Sequence, residues 1–323
     1  MKILVIFTGG TIGSKTKNGW ISTDKYTGYT LINSYKKRDD VEFVCHNPYT
    51  ILSENLSEKE INLIQKEIAD NLDCGYDGII VTHGTDTLQY TSCVVEYAFS
   101  NVEIPVVFVS SSIPLENKNA NGYINFEAAV EFIYNNVSSG VFISYKNDND
   151  AYVNFHIPSL VCSHSECSSD IYSINNKIFA SYNDGIQESG LIYAEGLKNI
   201  ITEYVKNPGI LVINSYPGNN YSYSLDGVNA VVLNPYHSAT LNTSSEYFQN
   251  FCYLAKEKNI PVFLVNTRDG ISYESTKQYS ELGIISLPLC TFISAYVKLW
   301  LAISSGYNLE KYMKSNISNE YKH

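Results

Sequence analysis

The sequence predicts a two-domain α/β protein, with a larger N-terminal, mostly parallel sheet flanked by helices and a smaller C-terminal α/β domain. Two observations lead to this prediction. Short β-branched runs alternate with amphipathic helical stretches, which is typical of βαβ units and parallel sheets. The chain also has 323 residues, whereas single hydrophobic cores usually stop growing at about 250 to 300 residues. We therefore expect two cores.

The N-terminal alternation begins with the first residues. Predicted strands and helices follow one another as strand 2–7, helix 58–72, strand 78–82, helix 88–99, strand 105–110, helix 124–136 and strand 140–144. In the first helix, Ile61, Ile64 and Ile68 recur at the spacing of a face that packs on a core. These elements fit one sheet with helices on its faces.

The alternation is interrupted from residue 145 to about residue 207, where polar clusters replace periodic runs. It resumes at the apolar run ILVIN and continues to a last helix that Gly306 ends. From this change in pattern we predict an N-terminal domain over residues 1–190, a linker over 191–207 and a C-terminal domain over 208–323.

Composition argues against several classes of protein. The formal net charge is −11, and Arg38 and Arg268 are the only arginines, so the basic footprint of a nucleic-acid-binding protein is missing. No apolar run approaches the roughly 20 residues that span a bilayer, and the first run is too short for an export signal. The seven cysteines are scattered without the spacing of a disulfide framework. We expect a cytoplasmic protein with no nucleic-acid or membrane partner.

The first motif that can carry chemistry is TGGTIG, residues 8–13, which directly follows the first predicted strand. In open α/β sheets, ligands bind beyond the carboxyl ends of the strands. Glycines there let the backbone approach a ligand closely and leave Thr11 exposed. A glycine-rich turn of this kind could also hold a phosphate. The GxGxxG spacing of dinucleotide-binding turns is absent, so we expect no cofactor.

The second motif, HGTDT at residues 83–87, repeats the arrangement of a strand, a turn and a helix. A hydroxyl and a carboxylate side by side at a strand end can bind a small polar substrate and orient a nucleophile or a water molecule. The alternative is structural, because Asp86 or Thr87 could simply cap the helix that follows.

Together, and in this order, TGGTIG and VTHGTDTLQYT resemble the two signatures of bacterial L-asparaginases, particularly the cytoplasmic type I branch. The resemblance continues through most of the chain, in the segments SSSIPL (110–115), NGYINFEAA (121–129), YPG (216–218) and LGIISLPLCTFISAYVKL (282–299). It implies the two-domain asparaginase-like fold, a small amino-acid-like substrate and a homodimer or homotetramer.

The resemblance also implies roles for individual residues. Thr11 corresponds to the family's hydroxyl nucleophile, and Thr85 and Asp86 correspond to its second threonine and to the aspartate that holds the substrate's α-amino group. The residues implied to bind substrate are Gly10, Ser53, Glu54 and Gly84. The implied chemistry is attack of Thr11 on a side-chain amide, an acyl-enzyme, release of ammonia and then hydrolysis by water.

Two departures fall on the groups that would activate Thr11. The family's first-loop tyrosine is replaced by Trp20, whose indole nitrogen only donates and cannot take a proton. Tyr26 or Tyr29 could take its place from the same loop. The family's lysine is also missing, because no lysine or arginine occurs between Asn147 and Asn176.

Ser163 lies at the position of that lysine, between Cys162 and His164. Either neighbour could belong to a substituted catalytic apparatus, and the alternative is an ordinary polar loop. A metal site that includes His156 and Cys167 is a further hypothesis, but the spacing matches no zinc pattern, so we expect no metal.

The sequence therefore predicts an enzyme, an amidohydrolase acting on asparagine or a related small amino-acid amide. Two alternatives stay open. The chain could be a catalytically altered or inactive homologue that binds an amino acid, or it could catalyse a different acyl transfer or an elimination.

Overall fold

The computed structural model describes residues 1–17, 19–24, 26–164, 167–194, 196, 201–267 and 273–321. It confirms the predicted α/β fold class. The chain divides into two compact units, one formed by residues 1–201 with 317–319 and the other by residues 202–316 with 320–323. The predicted linker, residues 191–207, lies partly outside the described residues and stays a prediction.

The first unit is built around one large sheet. Its strands and helices are β1 (Lys2–Phe7), β2 (Ser14–Lys17), β3 (Trp20–Thr23), α1 (Tyr29–Ser34), β4 (Glu42–His46), α2 (Glu58–Asn71), β5 (Gly78–Thr82), α3 (Leu88–Ala98), β6 (Pro105–Val109), α4 (Gly122–Tyr134), β7 (Gly140–Tyr145), β8 (Val153–His156), β9 (Ala180–Tyr182) and β10 (Ile186–Glu188). Among the described residues, the large sheet has the strand order β10-β9-β8-β7-β6-β5-β1-β4. The strands from β4 to β7 pair in parallel, whereas β8, β9 and β10 add an antiparallel edge.

The parallel strands are buried on both faces, which is why their sequences are continuous apolar runs. Alternate residues point to opposite faces. Val5 and Val107 belong to the core that α1 and α4 cover. Leu4 and Val106, their immediate neighbours in sequence, belong to the core that α2 and α3 cover. The large sheet is therefore a middle layer between helices.

Residues 317–319 are part of the first unit because of Glu96, a fully buried carboxylate on α3. Its oxygens accept hydrogen bonds from the Ser318 hydroxyl at 2.7 Å and from the Asn319 amide at 3.0 Å. They also accept from the main-chain N–H and the hydroxyl of Ser159, at 2.6 and 2.9 Å. A buried carboxylate needs such donors, and these ones attach the C-terminal segment to α3.

The second unit has a smaller sheet with a helix layer on each face. Its elements are β11 (Ile210–Asn214), β12 (Ala230–Asn234), α5 (Glu246–Glu257), β13 (Val262–Leu264), β14 (Ile284–Ser286), α6 (Phe292–Ser304) and α7 (Leu309–Lys314). The four strands pair in parallel in chain order. Phe248 and Phe251 of α5 pack on one face of the sheet, and Ala295 and Leu299 of α6 pack on the other. None of the described helices is long and apolar enough to cross a membrane.

Candidate active site

The order of the parallel strands marks where a ligand would bind. From β1 the chain moves to β4 on one side, and it then crosses to β5 on the other side of β1. In open α/β sheets the crevice at such a switch point is the usual ligand site. β1 and β5 are adjacent and parallel, with Phe7 opposite Thr82. The two predicted motifs, which follow these strands, therefore emerge side by side at one sheet edge.

The two turns touch backbone to backbone at their glycines. Gly10 has a φ of +71°, and a Cβ added there would lie closer than 3.0 Å to the Cα and N atoms of Gly84. A Cβ added at Gly84 would similarly overlap the hydroxyl of Ser53. The main-chain N–H of Gly10 donates to the carbonyl of Ile51 at 2.7 Å. Glycine is required here because three turns, around residues 10, 52 and 84, meet with no room for side chains.

Hydrogen bonds join the turn around residue 52 to the turn around residue 84. Ser53 is 4% exposed, and its hydroxyl donates to the Asp86 carboxylate at 3.3 Å. The Thr87 hydroxyl donates to the Ser53 carbonyl at 2.9 Å. Thr87 is the N-cap residue of α3 but makes no side-chain capping hydrogen bond. The capping interpretation of Asp86 and Thr87 is therefore wrong, and both side chains instead contact residue 53.

Thr11 and Thr85 each begin a short 3-10 turn, Thr11–Gly13 and Thr85–Thr87. The first N–H groups of a helical turn have no partner inside that turn, so they can donate to a ligand. Both threonines are half-buried, and Asp86 is exposed. Within the part of the chain that the structure describes, the Thr11 hydroxyl makes no hydrogen bond, and no base therefore lies in hydrogen-bonding contact with it.

The other predicted binding and first-loop residues are more exposed. Glu54 follows Ser53 in a 3-10 turn, and its side chain is exposed. Trp20 and Tyr26, at and near the position of the family's tyrosine, are 79% and 66% exposed. The hairpin β2–β3 carries Trp20, and Tyr29 begins α1.

Of the three residues around the missing lysine, His164 contacts the second motif. Its Nε2 lies 3.0 Å from the carbonyl oxygen of Thr85, and its Nδ1 lies 3.0 Å from the carbonyl oxygen of Asp170. Ser163 is exposed. Burial raises the pKa of the Cys162 thiol, which makes it a poor nucleophile. The geometry therefore singles out His164.

The Cys/His metal hypothesis finds no support in the described residues, among which no group of three His, Cys, Asp or Glu side chains could hold a metal ion. His156 lies in β8, where its Nδ1 is 2.8 Å from the Ser173 hydroxyl. His164 faces two carbonyl groups. Residues 165 and 166, between His164 and Cys167, lie outside the described residues.

Sequence reasoning missed the buried polar residues behind the site. The Ser110 hydroxyl donates to the His83 carbonyl at 2.6 Å, and the Asn125 amide donates to the Ser110 carbonyl at 3.0 Å. The Ser144 hydroxyl donates to the Asn125 carbonyl at 2.8 Å. These residues support the carboxyl ends of β5, β6 and β7. Their signal in the sequence is a polar residue at the end of a continuous apolar strand.

Two buried histidines make stability depend on pH. Burial lowers the pKa of His83 and of His156 to about 4, below the value of about 6.5 of an unfolded chain. Protons therefore bind the unfolded chain more tightly, so the stabilising contribution is complete above about pH 6.5 and is lost as the pH falls toward 4. Between pH 7 and pH 5 the wild type should lose unfolding free energy because these histidines become protonated on unfolding. We predict that this loss is smaller by about 2 kcal/mol in His156→Gln.

Denaturant unfolding at the two pH values measures this loss, with His237→Gln as the control because that side chain is exposed. An equal loss in His156→Gln and in the wild type would contradict a neutral, buried His156.

The family model described as Asparaginase, N-terminal, matches residues 2–176, which is more than half of the chain. The chain therefore belongs to the asparaginase family.

Individual relatives include an L-asparaginase and a component of an amidotransferase. The L-asparaginase of Thermococcus kodakarensis is 32% identical over 133 residues, which cover 41% of this chain and 40% of that protein. The matched stretch is thus less than half of that relative. A subunit of the glutamyl-tRNA(Gln) amidotransferase of Methanococcus maripaludis is 24% identical over 342 residues, covering 98% of this chain and 80% of that protein.

Solved structures share the fold along the whole chain. The thermostable L-asparaginase from Thermococcus kodakarensis superposes with a TM-score of 0.82 at 22% identity and covers 100% of both chains. L-asparaginase I from Vibrio cholerae superposes with a TM-score of 0.83 at 23% identity, covering 100% of this chain and 99% of that one. These likenesses establish the asparaginase fold for both units.

Proposed function

We propose that this chain is an asparaginase-type amidohydrolase that hydrolyses the side-chain amide of asparagine or of a related small amino-acid amide. The observation that carries the proposal is the meeting of two glycine turns at the sheet's switch point, with Thr11 on one turn and Thr85 and Asp86 on the other. A hydroxyl nucleophile near a second hydroxyl and a carboxylate suits a substrate that carries both an amide and charged α-groups.

The proposed binding roles are those that the resemblance to the family implies, and the charges of the residues suit them. The exposed carboxylate of Asp86 would hold the substrate's α-amino group, and Ser53 and Glu54 would contact the α-carboxylate and α-amino ends. The free N–H groups that begin the two 3-10 turns would stabilise the oxyanion. The N–H of Gly10 already donates to Ile51. Gly10 and Gly84 would therefore contribute by letting the main chain lie close to the substrate.

The reaction has two halves. In the first, Thr11 Oγ attacks the amide carbon, the C–N bond breaks, and the nitrogen leaves as ammonia with the hydroxyl proton. In the second, water attacks the resulting ester, the bond from carbon to Thr11 Oγ breaks, and the side-chain carboxylic acid is released while the hydroxyl is restored. Because no described base contacts Thr11, a water molecule or the substrate would carry the proton.

The test is ammonia or amine release from L-asparagine, L-glutamine and N-substituted asparagines by the purified full chain. We expect turnover of at least one of these amides. Calorimetry with aspartate and asparagine accompanies the assay. Binding that Asp86→Ala abolishes, without turnover of any amide, would overturn hydrolysis and favour an amino-acid-binding homologue.

A second candidate is a component of an amidotransferase, because the amidotransferase subunit of Methanococcus maripaludis aligns with 98% of this chain. In that case the chain would release ammonia for a partner. Slow release by the chain alone and faster release when it is mixed with its partner would favour this candidate. Full activity of the isolated chain would argue for the simple hydrolase.

A further inference from the structure

The hydrogen-bond partners of the two His164 ring nitrogens indicate the charge state of the ring. Each ring nitrogen lies 3.0 Å from a main-chain carbonyl oxygen, that of Thr85 for Nε2 and that of Asp170 for Nδ1. Carbonyl oxygens only accept hydrogen bonds. A neutral imidazole has one donor and one acceptor nitrogen, whereas the imidazolium donates from both. Only the protonated ring makes both contacts favourable.

We propose that His164 is a positioning residue that acts as an imidazolium and fixes the Thr85–Thr87 turn, which carries Asp86. This inference rests on the proposed function. His164 is not assigned contact with substrate. It acts through the main-chain oxygen of Thr85, which belongs to the turn that carries Asp86.

The Thr85 carbonyl is a suitable point at which to hold this turn. It also accepts a hydrogen bond from the main-chain N–H of Leu88, the first residue of α3. With His164 it therefore uses both of its lone pairs. A hydrogen bond from a cation polarises the peptide group more than a neutral donor does. The position of the turn thus depends on the proton of the ring.

The other end of the ring is held by an anchored loop. The Asp170 carboxylate accepts from the main-chain N–H of Asp148 at 3.0 Å and from the Tyr172 hydroxyl at 3.3 Å. Next to it, the main chain of Ile171 makes two hydrogen bonds with the buried Asn147 amide, at 2.9 and 3.0 Å. His164 therefore connects the turn after β5 with a loop fixed to the end of β7.

The charged side chains on the elements around the ring are mainly acidic. They are Asp86 on the 3-10 turn, Asp170 on the anchored loop and Asp148 after β7, with Lys146 on the same segment as Asp148. The Tyr172 phenol is the neutral titratable group of the loop. Substrate binding through the α-amino group, as proposed above, needs Asp86 to stay correctly placed.

The proposal predicts that activity falls at alkaline pH and that this fall depends on His164. Imidazole changes its charge between about pH 5 and pH 8. When the ring loses its proton, one of its nitrogens no longer carries a hydrogen atom to donate to the carbonyl that it faces. One of the two hydrogen bonds through which the ring holds the turn is then lost. We expect kcat/KM to fall with rising pH once the ring has lost its proton, mainly through KM because the turn carries the carboxylate proposed to bind substrate.

The experiment compares pH profiles of kcat/KM for wild type, His164→Gln, His164→Lys and the control His46→Gln. His46 ends β4, and among the described residues its ring hydrogen-bonds to Glu67 and not to the second motif. Glutamine can donate to only one of the two carbonyls, so His164→Gln should lose about tenfold at low pH and should lack the falling limb. Lysine stays charged, so His164→Lys should keep activity and shift the limb to higher pH. His46→Gln should keep the limb.

Nuclear magnetic resonance of the ring nitrogens separates this inference from the proposed function. The His164 signals, assigned by their absence in His164→Gln, should show both nitrogens protonated in the active pH range. If no amide is turned over, the proposed function fails while the ring titration still tests the charge state. An active wild type whose falling limb persists in His164→Gln, or a His164 ring that is neutral in the active range, would overturn the inference.

Discussion

Replacing Thr11 by valine should reduce amide hydrolysis by about a thousandfold or more, because the variant keeps the shape of the side chain and lacks the attacking oxygen. Thr11 begins a 3-10 turn at the end of β1, and its hydroxyl bonds to no described residue. The substitution therefore removes no structural hydrogen bond within the described residues. We expect an unchanged melting temperature together with the loss of kcat.

Thr11→Ser is the matched variant for this prediction, since it keeps a primary hydroxyl at the same position. It should retain measurable turnover, and mass spectrometry of wild type quenched with substrate should show an acyl group on the peptide that contains Thr11. A Thr11→Val protein that hydrolyses the amide at the wild-type rate would exclude Thr11 as the nucleophile.

Replacing Gly10 by alanine should disable the site by a different route. The added methyl group would overlap main-chain atoms of Gly84, which cannot rotate away as a side chain would. Alanine also disfavours the φ of +71° at this position. Strain and displacement of the turn should cost about 2 kcal/mol or more, and kcat/KM should fall about a hundredfold because Thr11 and Thr85 move apart.

Gly13→Ala is the control, because an added Cβ at Gly13 meets no heavy atom within 4 Å. It should leave the melting temperature and the turnover close to those of wild type. The two variants differ from wild type by one methyl group each, three residues apart. Equal activities of Gly10→Ala and Gly13→Ala would show that the two glycine turns are not in contact.

Much of the fold follows from local sequence. The runs that form β1, β5, β6 and β7 are apolar because both faces of the sheet are covered, and the helices between them show an apolar face. The antiparallel edge was not predicted. β9 and β10 have three residues each and β8 has four, which is too short for a period of two to stand out from a polar segment.

The location of the candidate site also follows from the sequence, since parallel strands end at a common edge and the two motifs each follow such a strand. The sequence by itself therefore determined the fold class and the positions of the two glycine turns, and its resemblance to the family led to the prediction that Thr11, Thr85 and Asp86 carry the chemistry. Whether those residues perform the proposed roles is what the variants above test.

Only the tertiary structure decided which distant residues complete the arrangement. The Ser53 hydroxyl reaches Asp86, and His164 reaches Thr85 across 79 positions of the chain. Ser163 is the predicted counterpart of the family's lysine, yet it is the neighbouring His164 ring that contacts Thr85. These contacts could not be predicted because local propensity and periodicity reflect only how a segment folds and which of its faces is buried. A hydrogen bond between separate loops depends on the path of both loops, and no short-range pattern encodes that path.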